Sequence, residues 1–205
     1  MPICYKTKVI FIHIPRCGGT SIESHLGILG HNPLYGAMLH DRKVISLQHL
    51  TLKEVALYRL VTQITLQSFF KFTVIRDPVS RLFSDYHWQK NNDIHNQYGD
   101  CSFGEFLDIA ERVINKGNYH DKPHLDHFRP MADYCRPHGD ISLDRIVTLE
   151  KLTEQKEQLK PEVNLDNVEQ KNRTTYPPNA RPEQCDAERV REIYHEDVEL
   201  YSRHN

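Results

Sequence analysis

"IFIHIPRCGGTSIE", residues 10–23, is the stretch that decides how this chain folds. It opens with mostly apolar, β-prone residues, turns through Gly18-Gly19, and closes with Thr20-Ser21 at the head of an apolar-periodic segment. The pattern predicts a strand over 9–14, a loop of exposed backbone N–H groups and a helix N-terminus, an arrangement that holds phosphate-like anions. Gly18 and Gly19 would let the backbone approach an anion closely. The amides of 18–21 would point along the helix dipole, and the Thr20 and Ser21 hydroxyls would add hydrogen bonds. The ATP and GTP form of such a loop, GxxxxGK[ST], is absent, and the positive side chain, Arg16, precedes the glycines. The competing reading is an ordinary strand–helix turn with a Ser/Thr cap.

Working outward, Ile22, Leu26 and Leu29 share one helical face, with Gly30 as the stop. Residues 31–48 read as irregular and polar. Thr51 and Glu54 stand at capping-box spacing, which starts a helix just after His49. "KFTVI" (71–75) is a second strong strand, and Asp77-Pro78 supplies an N-cap and first-turn pair for the next helix. That helix carries Val79, Leu82, Phe83 and Tyr86 on one face and Arg81, Ser84 and Asp85 on the other. Ser102 and Glu105 form a second capping box, a third strand runs over about 144–149 into a helix, and 171–184 is a Pro-rich loop. A last amphipathic helix runs from near Asp186 to Tyr201. Strands alternating with helices predict a three-layer α/β domain, its central parallel sheet flanked by helices.

The bulk composition narrows the partners. A chain of 205 residues fits one domain, 1–205, able to bury a real core. A net charge of −2 gives no global basicity, so neither nucleic acid nor a membrane surface is expected, and any anion binding must be local. The 5 cysteines are scattered without CxxC spacing, against a disulfide framework or a zinc knuckle. No signal peptide and no membrane span are visible, so a chain starting natively at Met1 is expected in the cytoplasm.

Arg76 ends the second strand, where α/β sheets bind ligands, and Ser84 lies about two turns into the next helix. An arginine fork with a hydroxyl suits a second phosphate. At this point the residues carry a resemblance. "FIHIPRCGGTSIE" resembles the 5′-phosphosulfate loop of sulfotransferases, and "RDPVSRLFSDY" (76–86) is similar to their 3′-phosphate motif, with Arg16 and Arg76 60 residues apart. "HLDHFRPMADYCRPHGDISLDRIVTLEKL" (124–152), "QKNRTTY" (170–176) and "YHEDVELY" (194–201) resemble later segments of the carbohydrate sulfotransferases resident in the Golgi. The resemblance covers nearly the whole chain and implies a P-loop-like fold.

It also implies that the anion is the 5′-phosphosulfate of 3′-phosphoadenosine 5′-phosphosulfate (PAPS), held by Arg16, Cys17, Gly18, Gly19, Thr20 and Ser21. Arg76 and Ser84 would hold the 3′-phosphate, and no metal is required. Lys171, Arg173 and Thr174 could close over the adenosine and its 3′-phosphate; otherwise they form a solvated basic loop. Arg16 departs from the family's usual lysine, and arginine neutralises a leaving phosphate without giving up a proton.

Sulfuryl transfer to a hydroxyl needs a base, and histidine fits. Among 13 histidines His49 leads, because "SLQHLTLKEV" resembles the element carrying the base in heparan-type enzymes; His40 is its rival. His13, within a strand, reads as a core histidine. His120, His124 and His127 cluster in sequence, but Pro123 and the want of a cysteine or carboxylate pattern count against a metal, and His127 matches the family's histidine before "RP". Glu150 reads as structural. The expected acceptor is a hydroxyl of a glycan or glycolipid, with the Golgi lumen as compartment if an anchor precedes Met1. The rivals are an ATP-dependent phosphotransferase and a non-catalytic nucleotide- or glycan-binding module.

Overall fold

The computed structural model describes residues 1–31, 34–92, 98–171, 174 and 180–205. In chain order it runs β1 (Ile3–Cys4), β2 (Val9–Ile12), α1 (Gly19–His25), β3 (Ala37–His40), β4 (Lys43–Ser46), α2 (Leu52–Leu57), α3 (Gln63–Ser68) and β5 (Phe70–Ile75). It continues α4 (Pro78–Asn91), α5 (Phe103–Lys116), α6 (Met131–Cys135), β6 (Arg145–Thr148), α7 (Leu152–Gln155), α8 (Gln184–Ile193) and α9 (His195–His204). The main sheet has the order β1-β2-β5-β6. β2 pairs in parallel with β5, Val9 opposite Phe70, and β5 in parallel with β6, Phe72 opposite Arg145.

The sheet has the expected parallel core and is mixed through its antiparallel edge strand. β1 runs antiparallel to β2 because only residues 5–8 join them, too few for a parallel crossover. Ile10, Ile12 and Ile75 pack on one face with Leu52, Val55, Met131, Tyr134 and Leu200. Val9, Phe11, Phe72, Val74 and Val147 pack on the other with Ile22, Leu159, Val163 and Leu165. Successive side chains of a strand alternate between faces, so burial of both faces is what makes β2 apolar throughout and β5 apolar but for Lys71 and Thr73. A further core joins α4, α5 and α8 through Leu82, Phe106, Leu107, Val113 and Val190.

Three local expectations need correction. α1 stops before Gly30: Gly27 takes φ 68°, its N–H bonds to Ser24 O, and Ile28 N–H bonds to Glu23 O, which satisfies the last carbonyls one turn early. The 31–48 stretch contains the hairpin β3–β4, turned at Asp41 and Arg42 with φ 47° and 63°. Its sides are largely exposed, so it shows no apolar alternation. The last helix is two helices, α8 and α9, broken at Tyr194, whose buried hydroxyl donates to Phe128 O at 2.9 Å.

The caps formed by Thr51 with Glu54, Asp77 with Ser80 N–H, and Ser102 with Glu105 are all present. The polar face of α4 is buried as deeply as its apolar one. Arg81 is 1 % exposed and donates to the carbonyls of Pro15, His127 and Arg129 at 3.2, 2.7 and 2.9 Å, tying the loop after β2 and the 127–129 segment to α4.

Candidate active site

β2 ends in the predicted loop, and the loop bounds a cavity of about 1160 Å³. Gly18 caps α1 at φ 81°, and Gly19 opens the helix. Ser21 and Ile22 N–H both turn to Gly18 O, and Cys17 N–H to Ile14 O. Among the described residues no acceptor meets the N–H groups of Gly18, Gly19 and Thr20. Gly18 is required by its left-handed conformation and Gly19 by contact. A Cβ on Gly18 would lie 2.9 Å from Leu149 Cδ1, and one on Gly19 would lie 2.2 Å from His13 Nε2.

Arg16 holds φ 65°, a left-handed conformation costly for a side chain of this size. Its guanidinium lies over Trp88, 5.4 Å from the ring centroid, and donates to Thr174 Oγ1 and, at 3.5 Å, to Ser84 Oγ. Its Nε is buried with no hydrogen-bond partner among the described residues. Burial pulls the Arg16 pKa down from its ordinary value, against the opposing pull of Asp85. Arg76 donates to Arg16 O at 3.2 Å and stands 4.0 Å from Glu150, which also receives Asp77 N–H at 3.2 Å. Glu150 thus orients the start of α4, beside Arg76.

The other predicted loop residues fall differently. The Cys17 side chain points into the core against Met131 Sδ at 3.8 Å, where burial pushes its thiol up to about 12. Ser21 Oγ accepts Lys171 N–H at 2.8 Å, so it latches the late loop to α1, while Lys171 Nζ stays half-exposed near Glu169. Thr174 joins Arg16 and Ser84, so the places expected for the two ends of the nucleotide adjoin one another. Arg173 lies outside the described residues.

Beside the loop runs a row of rings. His13 meets His49 at 5.0 Å, His49 meets His127 at 5.1 Å, and His127 stacks on Trp88 at 5.0 Å, which leads to Arg16. Each imidazole is held at Nδ1 by a carboxylate from another part of the chain: His13 by Glu23, His49 by Asp126 at 2.7 Å, His127 by Asp85 at 2.7 Å. An ionised carboxylate only accepts, so Nδ1 carries a proton in each of these pairs. Burial pushes the His49 pKa down to about 4, against Asp126, which favours the charged form. Burial would raise Asp85, but His127, Gln89 and Arg16 outweigh it and hold the carboxylate below its usual range.

Glu23 is fully buried and also accepts from Gln48 Nε2 at 2.8 and 2.9 Å, linking α1 to the segment that carries His49. Glu54 performs the same service from the other side. It closes the α2 capping box and takes the Arg129 fork at 2.5 and 2.6 Å and His120 at 2.7 Å.

His40, the rival base, sits at the hairpin turn against Tyr58 and is not among the cavity-lining residues. His120, His124 and His127 do not converge: the first goes to Glu54, the second packs on Trp88, the third goes to Asp85. Ligand-type atoms of His49, Asp126 and His127 do fall within 4.8 Å of one another, but as one hydrogen-bonded pair beside a second, not as a set around a common centre. Glu23, Gln48, Trp88 and Asp126 escaped the sequence reading, and Asp85 was read only as part of the polar face of α4. Asp126 had a signal, since it stands inside "HLDHFRP" between two of the clustered histidines.

Fold and site together define an α/β protein in which a strand–glycine–helix loop and a buried histidine–carboxylate wall share one deep cavity. The model of the sulfotransferase family matches residues 1–202, and the chain belongs to that family. No curated protein and no solved structure matches it. No helix among the described residues is long and apolar enough to cross a membrane.

Proposed function

We propose that the protein transfers the sulfuryl group of PAPS to a carbohydrate hydroxyl, using a P-loop-like cradle for the donor and His49 as general base. One observation carries this reading: Gly18, Gly19 and Thr20, whose amides meet no acceptor among the described residues, and Arg16, whose Nε has no partner among them, line the same cavity as the His49–Asp126 pair. A buried donor without an acceptor, as Arg16 Nε is, is rare, and an anion bound beside the loop would satisfy both it and the open amides. A cavity of about 1160 Å³ is also larger than one nucleotide requires, leaving room for an acceptor.

When bound, PAPS supplies an activated sulfuryl group. Gly18, Gly19 and Thr20 N–H with Arg16 hold the phosphosulfate and stabilise charge developing on the bridging oxygen. Arg76, Ser84 and Thr174 bind the 3′-phosphate. Asp126 fixes the His49 tautomer, so Nε2 receives the acceptor's proton. Tyr35, Tyr119, His120 and Lys122 line the remaining wall. Aromatic faces beside polar groups suit a sugar in a glycan or glycolipid.

Thermal unfolding with 3′,5′-adenosine bisphosphate (PAP), 5′-AMP or ATP·Mg²⁺ tests the donor site. At about 100-fold over Kd a ligand adds roughly 2.7 kcal/mol, a Tm rise of about 5–10 °C. PAP should give that rise, and AMP little. A rise with ATP·Mg²⁺ alone would transfer the reading to a phosphotransferase. Product formation from PAPS with a glycan panel then separates an enzyme from a binding module.

A further inference from the structure

We propose that His127 is a catalytic residue, donating Nε2–H to a non-bridging oxygen of the sulfuryl group in flight. The inference rests on the reading above and follows from the order of groups along the wall. His49, at one end, takes the acceptor's proton; Arg16, at the other, faces the leaving phosphate. His127 stands between them, 5.1 Å from His49 and stacked at 5.0 Å on the Trp88 ring that underlies Arg16. In an in-line transfer the sulfur must pass between the attacking and departing oxygens, so the group beside the middle of that path is the one beside the sulfur.

The bonds balance without a further reactant. The acceptor oxygen–sulfur bond forms as the sulfur–oxygen bond to the phosphate breaks, and the released electron pair stays on the phosphate oxygen. The acceptor's proton goes to His49 Nε2. His127 gives up no proton and only holds a hydrogen bond that shortens as charge spreads over the sulfuryl oxygens.

Asp85 is the feature that suits His127 to this. The carboxylate is 2 % exposed, accepts from Nδ1–H at 2.7 Å, and is pinned in turn by Gln89 Nε2 at 2.8 Å. With Nδ1–H committed to Asp85, Nε2 can donate only in the doubly protonated ring, whose charge Asp85 balances. Arg81 fixes the backbone by donating to His127 O. The other groups facing the ring are His49 from the segment before α2, His124 and Asp126 from its own segment, and Arg16 through Trp88.

Three variants and two kinds of readout decide it. His127→Ala should lower kcat about 10²–10³-fold, with KM for PAPS within about threefold and the PAP-induced Tm rise intact. His127→Asn keeps a neutral N–H donor, so it should recover part of kcat. Asp85→Asn removes the carboxylate that balances the doubly protonated ring, so it should lower kcat while KM for PAPS stays within about threefold. Histidine-selective ¹⁵N spectra of the PAP complex should show protons on both His127 nitrogens; a bare Nε2 overturns the proposal. So does His127→Ala with kcat within threefold of native. Loss of PAP binding in step with kcat in the His127 variants also overturns it, by marking a structural role. If the native protein itself ignores PAP, the donor reading has failed and this proposal falls with it.

Discussion

Replacing Gly19 by alanine strikes the contact on which the donor cradle is built. A Cβ there would lie 2.2 Å from Nε2, 2.3 Å from Cδ2 and 2.5 Å from Cε1 of His13, where ordinary contact starts at 3.4 Å. Roughly 1.2 Å must therefore be found. The ring is not a yielding end, since it is bonded to buried Glu23 and packed between Phe11 and His49 at 5.7 and 5.0 Å. Either His13 tilts and weakens its bond to Glu23, or the first turn of α1 backs away with the amides of 18–20. Overpacking of this kind costs about 1–3 kcal/mol, a Tm loss of about 2–12 °C in a chain this size. A shift near 1 Å in the cradle weakens PAP by about 10- to 100-fold. Differential scanning calorimetry and titration calorimetry with PAP read the two effects. The double variant His13→Ala/Gly19→Ala removes the clashing ring, so a double-mutant cycle should return a favourable coupling. Gly19→Ala with native Tm and PAP affinity within twofold would refute the reasoning.

Asp126→Asn should lower kcat by about 10²–10⁴ while PAP affinity stays within twofold, because only the tautomer and orientation of His49 are lost; equal losses in both would contradict a positioning role. Burial holds His49 neutral down to about 4 in the fold, whereas the free side chain titrates near 6.5. The unfolded chain therefore binds the extra proton first, so stability should fall as pH drops from about 6.5 toward 4, checked by urea midpoints. The acid limb of kcat/KM in the free enzyme should then lie near 4. Glu54→Ala strands the Arg129 fork and opens the α2 cap, for a loss of about 3–5 kcal/mol by urea unfolding.

What could be read from sequence was what is decided locally. β2 and β5 announce themselves because both of their faces are buried, which leaves a continuous apolar run in β2 and a β-prone run interrupted only by Lys71 and Thr73 in β5. The Thr51–Glu54 and Ser102–Glu105 caps are fixed by residues three apart. The hairpin escaped because its turn puts Asp41 and Arg42 in left-handed conformations that usually call for Asn or Gly. The break at Tyr194 carries neither Gly nor Pro; a buried tyrosine reaching a carbonyl of another segment sets it. In the site, the glycine loop and His49 were legible, and their partners were not. Glu23, Asp126 and Asp85 lie 10, 77 and 42 residues from the histidines they hold, so only the packed fold brings them together.

That division has a chemical consequence in the proposed reaction. Arginine at position 16 offers a permanent charge and no transferable proton, so the leaving phosphate departs as an ion and is stabilised where it stands. All proton traffic then falls to the opposite end of the cavity, where His49 is kept neutral by burial and correctly oriented by Asp126. A fixed charge at one end and a titratable ring at the other must not exchange roles, and the wall between them prevents it. Trp88 and His127 separate Arg16 from His49, and each imidazole is tethered to its own carboxylate rather than to its neighbour. The anchoring carboxylates come from different elements, with Asp85 on α4, Glu23 on α1 and Asp126 beside His127. A displacement of either helix would therefore disturb donor and acceptor ends together, so the parallel sheet ends, α1 and α4 act as one rigid frame for both halves of the chemistry.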